Sequence, residues 1–481
     1  MTQDPAAVIA ARLDRLPMTA RMWRMVLLIS LGGAFEFYDM FFTAYVAPGM
    51  VASGLFKRVS LEPMGFLFDV FGGGPATFVF STFAGLFFGT LLFAQLSDRF
   101  GRRKVFMAAL TWYSLTTFIM AFQTTGFALN AWRFVSGLGI GVQLVTIASY
   151  LSELVPRQFR GRVFAVNQVI QFSSVPVVAF LAWSLAPHRP LGLESWRWVM
   201  LLGSLGAVAV LLIQRWVPES PRWLARQGRI AEADEITGDI EAAVAAENGG
   251  VLPPLGPIVR ESNAKNSFAE IWKAPYGKRT IVLSVFNFFQ AVGFYGFAAW
   301  LPTLLVAQGI TVTTSLLYSF IIAIANPIGP LLGFVVADRI ERKWQIVLAA
   351  LGVGVFGLIF ANQRQAVPLI VCGVLVTLSS NWMSFSFHNY QSEIFPTRIR
   401  ARAVGFVYSW SRLSSAFTGL VIGILLKTTG TLAVFALIAF AMAMVMISIG
   451  GFGPRTRNRS LEEICPEGDT ETDVLVAAPG A

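Results

Sequence analysis

Two acidic residues stand in the first long apolar stretch of this sequence, where an ionisable side chain is costly and usually faces a cavity or a partner. The stretch contains GAFEFYDMFF, in which Glu36 and Asp39 are three residues apart, so a helix places both on one face. A carboxyl group that is removed from water holds its proton to higher pH. Either residue is therefore a candidate to bind and release a proton near neutral pH.

Two arginines in later apolar stretches are candidates to pair with these acids or with a bound anion. Arg133 lies at a depth similar to that of Asp39, so the two could form a permanent ion pair, which would leave Glu36 as the better proton carrier. Arg412 lies roughly 14 Å into its stretch, near the middle of a bilayer. Its planar guanidinium matches a carboxylate at two points. That carboxylate could belong to Glu36 or to a bound solute, and the sequence leaves both pairings open.

Uncharged polar and aromatic residues in the same stretches are candidates to line a solute-binding cavity. Each amide could equally form a hydrogen bond between neighbouring helices. Aromatic rings could enclose an apolar or aromatic solute, although most of them must face lipid or pack. We expect His388 to be a packed, neutral histidine rather than a proton relay. The candidates are Gln143, Asn167, Gln168, Gln171, Gln290 and Asn381 among the amides, and Tyr38, Phe294, Tyr295 and Trp410 among the aromatic residues.

The elements that position these residues are membrane-spanning helices. Of the 481 residues, 55% are hydrophobic and 13% are charged, which excludes an ordinary soluble globular protein. Apolar stretches of about 20 residues match the thickness of a bilayer as helices. We predict an all-α integral membrane protein with twelve transmembrane helices, spans 1 to 12. They lie near 23–47, 77–98, 105–123, 128–154, 163–186, 196–216, 279–302, 314–338, 344–361, 366–393, 403–426 and 431–452.

The second half of the chain repeats residues of the first half at a constant offset of 240 positions. The first group is Tyr150, Ser152, Glu153, Pro156, Arg160 and Arg162, which match Tyr390, Ser392, Glu393, Pro396, Arg400 and Arg402. The second is Gly89, Leu91, Leu92, Asp98 and Arg99, which match Gly329, Leu331, Leu332, Asp338 and Arg339. One offset across two segments indicates a duplicated unit. Two pseudo-symmetric six-helix halves around a cavity are typical of a transporter.

The spans divide the chain into five regions and set its orientation. The regions are a cytoplasmic N-terminus (1–22), an N-terminal half (23–216), a cytoplasmic linker (217–278) with a predicted surface helix, a C-terminal half (279–453) and a cytoplasmic tail (454–481). Most of the 37 basic residues flank the spans on the side of the termini, which predicts a multi-pass protein of the cell inner membrane with both ends cytoplasmic. The net charge of +10 reflects this bias, so we expect contact with the lipid bilayer and no nucleic-acid partner.

Each half places acids and bases at the cytoplasmic ends of its spans. We expect two ion-pair clusters that form a cytoplasmic gate, holding these ends together in one conformation and breaking when the halves rock. The alternative is that the basic residues only set orientation, because isolated surface pairs contribute ~0–1 kcal/mol. The gate residues are Asp98, Arg102, Glu153 and Arg160 in one half, and Asp338, Arg342, Glu393 and Arg400 in the other.

Several motifs resemble signatures of the major facilitator superfamily along the full length of the chain. SDRFGRRK (Ser97–Lys104) resembles its loop 2–3 signature and RFVSGLGIG (Arg133–Gly141) its span 4 signature. PESPRWL (Pro218–Leu224), SELVPRQFRG (Ser152–Gly161) and RSLEEI (Arg459–Ile464) resemble the sugar-porter branch and its bacterial metabolite:proton symporter relatives. Ala94 and Glu341 stand where the two copies of the loop signature usually carry glycine.

The resemblance implies alternating access, with a small-molecule substrate and a proton as the partners, and we expect a functional monomer. It also implies that spans 5 and 7 line the cavity, which makes Gln171 and Gln290 the preferred substrate ligands. Organic-anion carriers of the superfamily place a cation in span 11, as Arg412 does here, whereas sugar porters need none at the cavity centre. If this chain is a sugar porter, Arg412 would instead form an ion pair inside the protein.

The motifs argue against an enzyme and against an ATP-driven pump. The glycines at 137, 139 and 141 lie within a continuous apolar helix, so they predict close helix packing rather than a nucleotide loop. We expect no cofactor and no metal. The leading hypothesis is proton-coupled symport of a small organic anion, such as a mono- or aromatic carboxylate. The alternatives are a neutral sugar or polyol symporter, a proton-coupled drug exporter, and a transporter-like receptor, against which the short tail argues.

Overall fold

The chain folds into a helical membrane bundle. The computed structural model describes residues 4–56, 74–93, 96–256, 258, 268–336 and 340–456, and these residues form helices and no strand. Eleven of the helices are long and apolar enough to cross a membrane. The remaining span is built from two shorter helices, the first of them within an apolar stretch at Ser195–Val210. The predicted fold class is confirmed.

The spans follow the predicted order, with differences of a few residues at their ends. They are Ala20–Ala52, Pro75–Phe93, Arg102–Ala121, Gly126–Leu154, Arg160–Leu185, Ser195–Ser204 with Gly206–Trp216, Tyr276–Ala298, Val312–Ala323 with Ala325–Val336, Arg342–Asn362, Ala366–Glu393, Thr397–Thr428, and Thr431–Val445 with the wider turn Met446–Gly451. Shorter helices are Pro5–Asp14, Leu96–Phe100, Pro221–Arg226, Ile230–Glu247 and Leu301–Ala307. The N-terminus and the linker lie at one end of the bundle, the terminal face; the other end is the opposite face.

Spans 2 and 4 pack at backbone contact, as the glycines of span 4 predict. A Cβ atom on Gly137 would lie 2.7 Å from the carbonyl oxygen of Thr82, and one on Gly141 would lie 2.4 Å from that of Leu86. Neither gap admits a side chain, so the prediction of close helix packing is confirmed. The small residues let dispersion contacts between backbones replace side-chain packing.

Span 8 breaks near its middle because its sequence, AIANPIGP, carries two prolines that cannot donate backbone hydrogen bonds. The ring at Pro327 leaves the carbonyl of Ala323 without its usual donor, and the side-chain amide of Asn326 donates to that oxygen at 3.0 Å. Pro330 likewise frees the carbonyl of Asn326, and Asn381 of span 10 donates to it at 3.2 Å. Two amides therefore satisfy the backbone groups that the prolines release.

The terminal face of the N-terminal half carries the first ion-pair cluster. Arg102 donates to Glu153 at 2.9 Å and to Asp98 at 2.5 Å. The linker motif PESPRWL completes this cluster: Ser220 donates to Glu153 at 2.6 Å, and Glu219 accepts from the backbone N–H of Arg102 at 2.9 Å, at the start of span 3. The cluster thus joins spans 3 and 4 to the linker.

The C-terminal half carries a matching but smaller cluster. Arg342 pairs with Glu393, and Arg400 donates to the carbonyl of Phe395 at 3.1 Å. Arg160, the remaining base of the first half, is half-buried at the start of span 5, and Asp338 lies outside the described residues. The pairs in these two clusters each join residues of one half, so in this conformation they do not hold the two halves together. The expected gate across the halves stays a prediction for another conformation.

The N-terminal helix, Pro5–Asp14, packs on the linker helix, Ile230–Glu247, as a small helical cap on the terminal face. Arg12 and Arg15 both donate to Glu241, each at 2.7 Å. Burial alone would raise the pKa of Glu241, but the hydrogen bonds from both arginines outweigh it and hold the pKa below its usual range. Beneath them lies a second apolar core that includes Leu13, Leu16, Trp223, Ile240 and Val244. The predicted surface helix of the linker is confirmed.

The two halves touch through apolar and aromatic side chains toward the opposite face. Trp183 of span 5 stacks on Phe320 of span 8, with 5.9 Å between ring centroids, and Phe80 of span 2 meets Phe417 of span 11 at 6.0 Å. Gly419 of span 11 packs against the side chain of Val79. Between described residues, no hydrogen bond or ion pair crosses from one half to the other. The halves are therefore closed together at the opposite face by contacts that can slide or separate.

Replacing Gly141 by Ala should destabilise the bundle by about 1–3 kcal/mol, because the added methyl group meets backbone atoms of span 2 that cannot yield. Gly161 of span 5 is the matched control, since nothing lies within 4 Å of the Cβ position there. Thermal unfolding of purified protein in detergent measures both. A Gly141→Ala variant that melts with the Gly161→Ala control would contradict the close packing of spans 2 and 4.

Replacing Glu153 by Gln should cost ~3–5 kcal/mol, because it leaves the buried guanidinium of Arg102 without its main partner. The control is Asp98→Asn, which removes the other partner of Arg102; the Asp98 side chain is 70% exposed, so a loss of only ~0–1 kcal/mol is expected. The midpoint of thermal unfolding compares the two. Equal midpoints would show that the buried pair does not hold spans 3 and 4.

Candidate functional site

Asp39 and Arg133 form a fully buried and fully hydrogen-bonded ion pair inside the N-terminal half. Arg133 donates to the Asp39 carboxylate at 2.7 Å, to the Asp39 carbonyl at 2.6 Å and to the hydroxyls of Thr43 and Thr82 at 2.7 and 2.8 Å. Thr117 of span 3 donates to the second carboxylate oxygen at 2.6 Å. Every nitrogen of the Arg133 guanidinium therefore has a partner. In this conformation the two residues form the ion pair that the sequence left open as one alternative.

Glu36 has a different environment, one helical turn away on span 1. Its side chain is fully buried, and neither carboxylate oxygen has a hydrogen-bond partner among the described residues. Its nearest charges are Arg412 and Asp39, which act on it through space rather than by contact. Glu36 lies at the middle of Ala20–Ala52, so it stands at the centre of the bundle.

Arg412 lies at the middle of Thr397–Thr428, and it acts through space on Glu36, which lies at the middle of span 1. Its side chain is 8% exposed, and no ion pair joins it to another described residue. The guanidinium lies over the ring of Tyr408, 5.1 Å from the centroid. Arg412 also acts electrostatically on Tyr295 of span 7 and His388 of span 10. This buried cation, which has no carboxylate partner among the described residues, therefore lies among residues of the C-terminal half and acts through space on Glu36 of the N-terminal half.

Aromatic rings form a layer beside these charges, and the layer bridges the two halves. Phe172 of span 5 meets Phe294 of span 7 at 6.5 Å, and Phe83 of span 2 meets Tyr295 at 4.5 Å. Phe37, the neighbour of Glu36 in the chain, packs edge-on against Phe172 at 5.2 Å. The cluster offers flat apolar surfaces near a cation, which suits a solute with both a carboxylate and a ring.

Four of the six candidate amides fall into two pairs, one that lies near this centre and one that holds helices together. Gln171 contacts Gly33 of span 1, and Gln290 donates to Ser411, the neighbour of Arg412, at 3.3 Å. By contrast, Gln143 donates to the carbonyl of Gly32 at 3.3 Å, and Asn381 serves the proline-broken backbone of span 8. These latter two take the interhelical role that the sequence left open.

Two aromatic candidates lie elsewhere than the sequence led us to expect. The Tyr38 hydroxyl donates to the carbonyl of Val199 at 2.8 Å, so this ring packs against span 6 and not beside Arg412. Trp410 is 37% exposed and shares a helix face with the exposed Phe417 and Val421. Both are corrections, and the cause is rotation: neighbouring positions on one helix point in directions about 100° apart. His388 packs against Phe387 and Tyr408 but is exposed, so it is not fully enclosed.

Sequence reasoning missed several neighbours of the charges. Tyr408 precedes Arg412 by four residues on one helix, a spacing that places the two side chains together and could have revealed it. Thr117 and Thr82, which satisfy Asp39 and Arg133, carry no such signal because they come from other spans. Within the described residues, no group of three or more His, Cys, Asp or Glu side chains could hold a metal ion. A buried cation and a buried acid are together suited to binding an anion and a proton.

Known proteins resemble this chain over nearly its whole length. The family model described as "Sugar (and other) transporter" matches residues 25–467. The putative metabolite transport protein YyaJ of Bacillus subtilis is 30% identical, covering 95% of this chain and 98% of its own. The niacin transporter NiaP of Acinetobacter baylyi is 28% identical, covering 95% and 99%.

The solved structures show the same fold. The xylose transporter XylE from E. coli, in a partially occluded inward-open conformation, superposes with a TM-score of 0.71 at 21% identity, covering 91% of this chain and 99% of that one. The fold, the duplicated halves and the family model agree with the motif analysis, and they identify a transporter rather than an enzyme. This chain therefore belongs to the sugar (and other) transporter family of the major facilitator superfamily.

Proposed function

We propose that this protein moves a small organic carboxylate across the membrane by proton-coupled symport, with alternating access of a central site. The observation that carries the proposal is Arg412. A guanidinium buried at the centre of a bundle needs an anion, and between described residues none pairs with it. A carboxylate solute supplies that anion and accepts two parallel hydrogen bonds from the planar fork.

The aromatic layer supports a carboxylate that carries a ring or another flat apolar body. Phe172 and Phe294 come from different halves and lie beside the charges. Gln290, hydrogen-bonded to the neighbour of Arg412, is positioned to bind a polar substituent of the solute, and Gln171 is a second candidate on the N-terminal side. One relative is named a niacin transporter, and niacin is a carboxylate on an aromatic ring. A ring against aromatic faces would contribute apolar burial, while the ion pair fixes orientation.

Glu36 is the preferred proton carrier. An ionised carboxylate without hydrogen bonds is unfavourable in an apolar interior, so the conformation described here suits a protonated Glu36. Its position near Arg412 supplies the coupling, because a solute carboxylate on Arg412 removes the positive charge that favours ionised Glu36. Asp39 is the alternative carrier; it would have to release its contacts with Arg133 and Thr117 during the cycle.

The cycle follows from two halves that move about this centre. The aromatic closure at the opposite face supports a conformation in which the central site opens toward the terminal face. Most basic residues flank the spans at that face, which supports cytoplasmic termini, a cytoplasmic linker (217–278) and an inner-membrane location. The 23–216 and 279–453 halves then act as the moving units of a functional monomer.

A neutral sugar or polyol is the second candidate substrate. The xylose transporter fold and the amides Gln171 and Gln290 favour it, since amides donate to and accept from hydroxyl groups. In that case Arg412 would pair with Glu36 in another conformation. Uptake of labelled carboxylates and sugars into proteoliposomes, with and without a pH gradient, separates the two. The proposal expects gradient-driven accumulation of a carboxylate and none of the sugars; accumulation of a sugar alone would overturn it.

Replacing Glu36 by Gln should abolish accumulation driven by a pH gradient but leave exchange of substrate across the membrane partly intact. Exchange returns the loaded carrier and needs no deprotonation, whereas net uptake does. Asp39→Asn is the comparison variant. If Asp39→Asn alone loses accumulation, the proton resides on Asp39; if both variants accumulate substrate normally, neither acid of span 1 carries it.

Replacing Arg412 should separate the two substrate classes. Arg412→Ala removes a desolvated charge partner, which typically costs ~2–5 kcal/mol, so carboxylate affinity should fall at least about tenfold. Arg412→Lys keeps the charge but loses the two-point fork, so affinity should also fall. Titration calorimetry with carboxylates, and with a neutral sugar as the control ligand, measures the effect. Unchanged carboxylate affinity in a correctly folded variant would show that Arg412 pairs inside the protein.

A further inference from the structure

A second cavity lies at the opposite face, apart from the central charges. Its volume is about 200 Å³. It is lined by the last residues of spans 1 and 5, by the loop that follows span 5, and by the first residues of spans 6 and 8. We call it the vestibule and define it by Tyr45, His188, Arg189, Glu194, Trp196 and Thr313. It lies at the end of the bundle where the Trp183–Phe320 contact closes the two halves.

The charges of the vestibule favour an anion. His188 and Arg189 are exposed, and no ion pair joins Arg189 to another described residue. Glu194 is the acid of the vestibule, and Arg197 already pairs with it at 3.2 Å. The local balance is therefore positive, in a concave site whose low-dielectric walls concentrate the field.

The vestibule also contains a buried polar group that lacks a partner among the described residues. Trp196 is 3% exposed, and its indole N–H has no acceptor among the described residues. The side chain of Tyr45 is 5% exposed and lines both the vestibule and a smaller cavity of about 20 Å³, whose walls include Asn326 and Asn381. Tyr45 therefore stands between the vestibule and the interior of the bundle, where its hydroxyl can meet a solute on either side.

Both halves build the vestibule, which ties its shape to their relative position. Thr313 comes from the C-terminal half and the other five defining residues come from the N-terminal half. Separation of the halves at this face would widen the vestibule and move Thr313 away from Arg189. A solute held in the vestibule would thus lie next to the Trp183–Phe320 contact at the moment when the two halves separate.

We infer that the vestibule is a separate binding site for a small organic anion, where Arg189 and His188 hold the carboxylate and Tyr45 forms the barrier to the interior. The anion preference follows from the vestibule's own charges. Only the next step, delivery of the anion to Arg412, rests on the proposed function. The site adds a capture step before the central one and raises the local concentration of the solute at the closed opposite face.

Thiol labelling tests the inference without knowledge of the transported substrate. Thr313 is exposed in the vestibule and is replaced by Cys in a protein whose Cys372 and Cys465 are Ser. The probes are two methanethiosulfonates of similar size, one with a sulfonate and one with a trimethylammonium group, with rates normalised to those of free cysteine. We expect the anionic probe to react faster, and millimolar benzoate to slow that reaction.

Charge variants identify the cause. Arg189→Gln should lower the ratio of anionic to cationic rates by roughly threefold, whereas Arg189→Lys should preserve it. The matched control is Arg364→Gln, which removes an exposed positive charge from the loop between spans 9 and 10, at the same face but outside the vestibule. The control should keep the wild-type ratio.

The outcomes separate this inference from the proposed function. Equal normalised rates, or a ratio that Arg189→Gln and Arg364→Gln change alike, would overturn the vestibule site even if carboxylates are transported. A ratio that depends on Arg189, together with slowing by benzoate, supports the site even if the transport panel identifies a sugar. A loss of folding in Arg189→Gln is recognised by its melting curve, and the Arg189→Lys and benzoate measurements then decide.

Discussion

A cation buried at the centre of an apolar bundle, with no carboxylate of the described residues bonded to it, is the constraint on which this structure depends. The other buried arginines of the described residues each have a carboxylate partner: Arg133 pairs with Asp39, Arg102 with Glu153 and Arg222 with Asp14. Arg412 lies over the ring of Tyr408 and acts through space on Glu36, an acid that has no hydrogen-bond partner among the described residues. A cation that attracts an anion and an acid that can hold a proton are the minimum needed to couple the movement of the anion to the movement of a proton.

The contacts between the halves suit a protein that must open and close. Polar bonds between described residues stay within a half or join it to its neighbouring linker, while the contact across the halves is made of rings and small side chains. Apolar contacts have no directional bonds to break, so the halves can part without leaving unsatisfied donors. Within each half, backbone packing such as that of Gly141 on span 2 favours movement as a unit.

The sequence predicts the number and order of the spans, because hydropathy and length depend only on composition along the chain. It also allows the Asp39–Arg133 pair, since opposite charges at similar depth can meet, but it leaves open whether the pair is permanent. It does not predict which way a residue faces on its helix. Tyr38 and Trp410 are cavity candidates by sequence, but Tyr38 points toward span 6 and Trp410 lies on an exposed face. The role of Asn381 was hidden for a further reason: it depends on a backbone group that Pro330, in another span, sets free.

The movement of protons with the solute tests the central claim most directly. Proteoliposomes in weakly buffered medium receive a candidate carboxylate, and an electrode follows the external pH while uptake is measured in parallel. Proton-coupled symport through Arg412 and Glu36 predicts alkalinisation of the medium beyond that of protein-free liposomes, in proportion to the carboxylate that enters. Uptake of the carboxylate with no such alkalinisation, or alkalinisation caused by neutral sugars alone, would contradict the account.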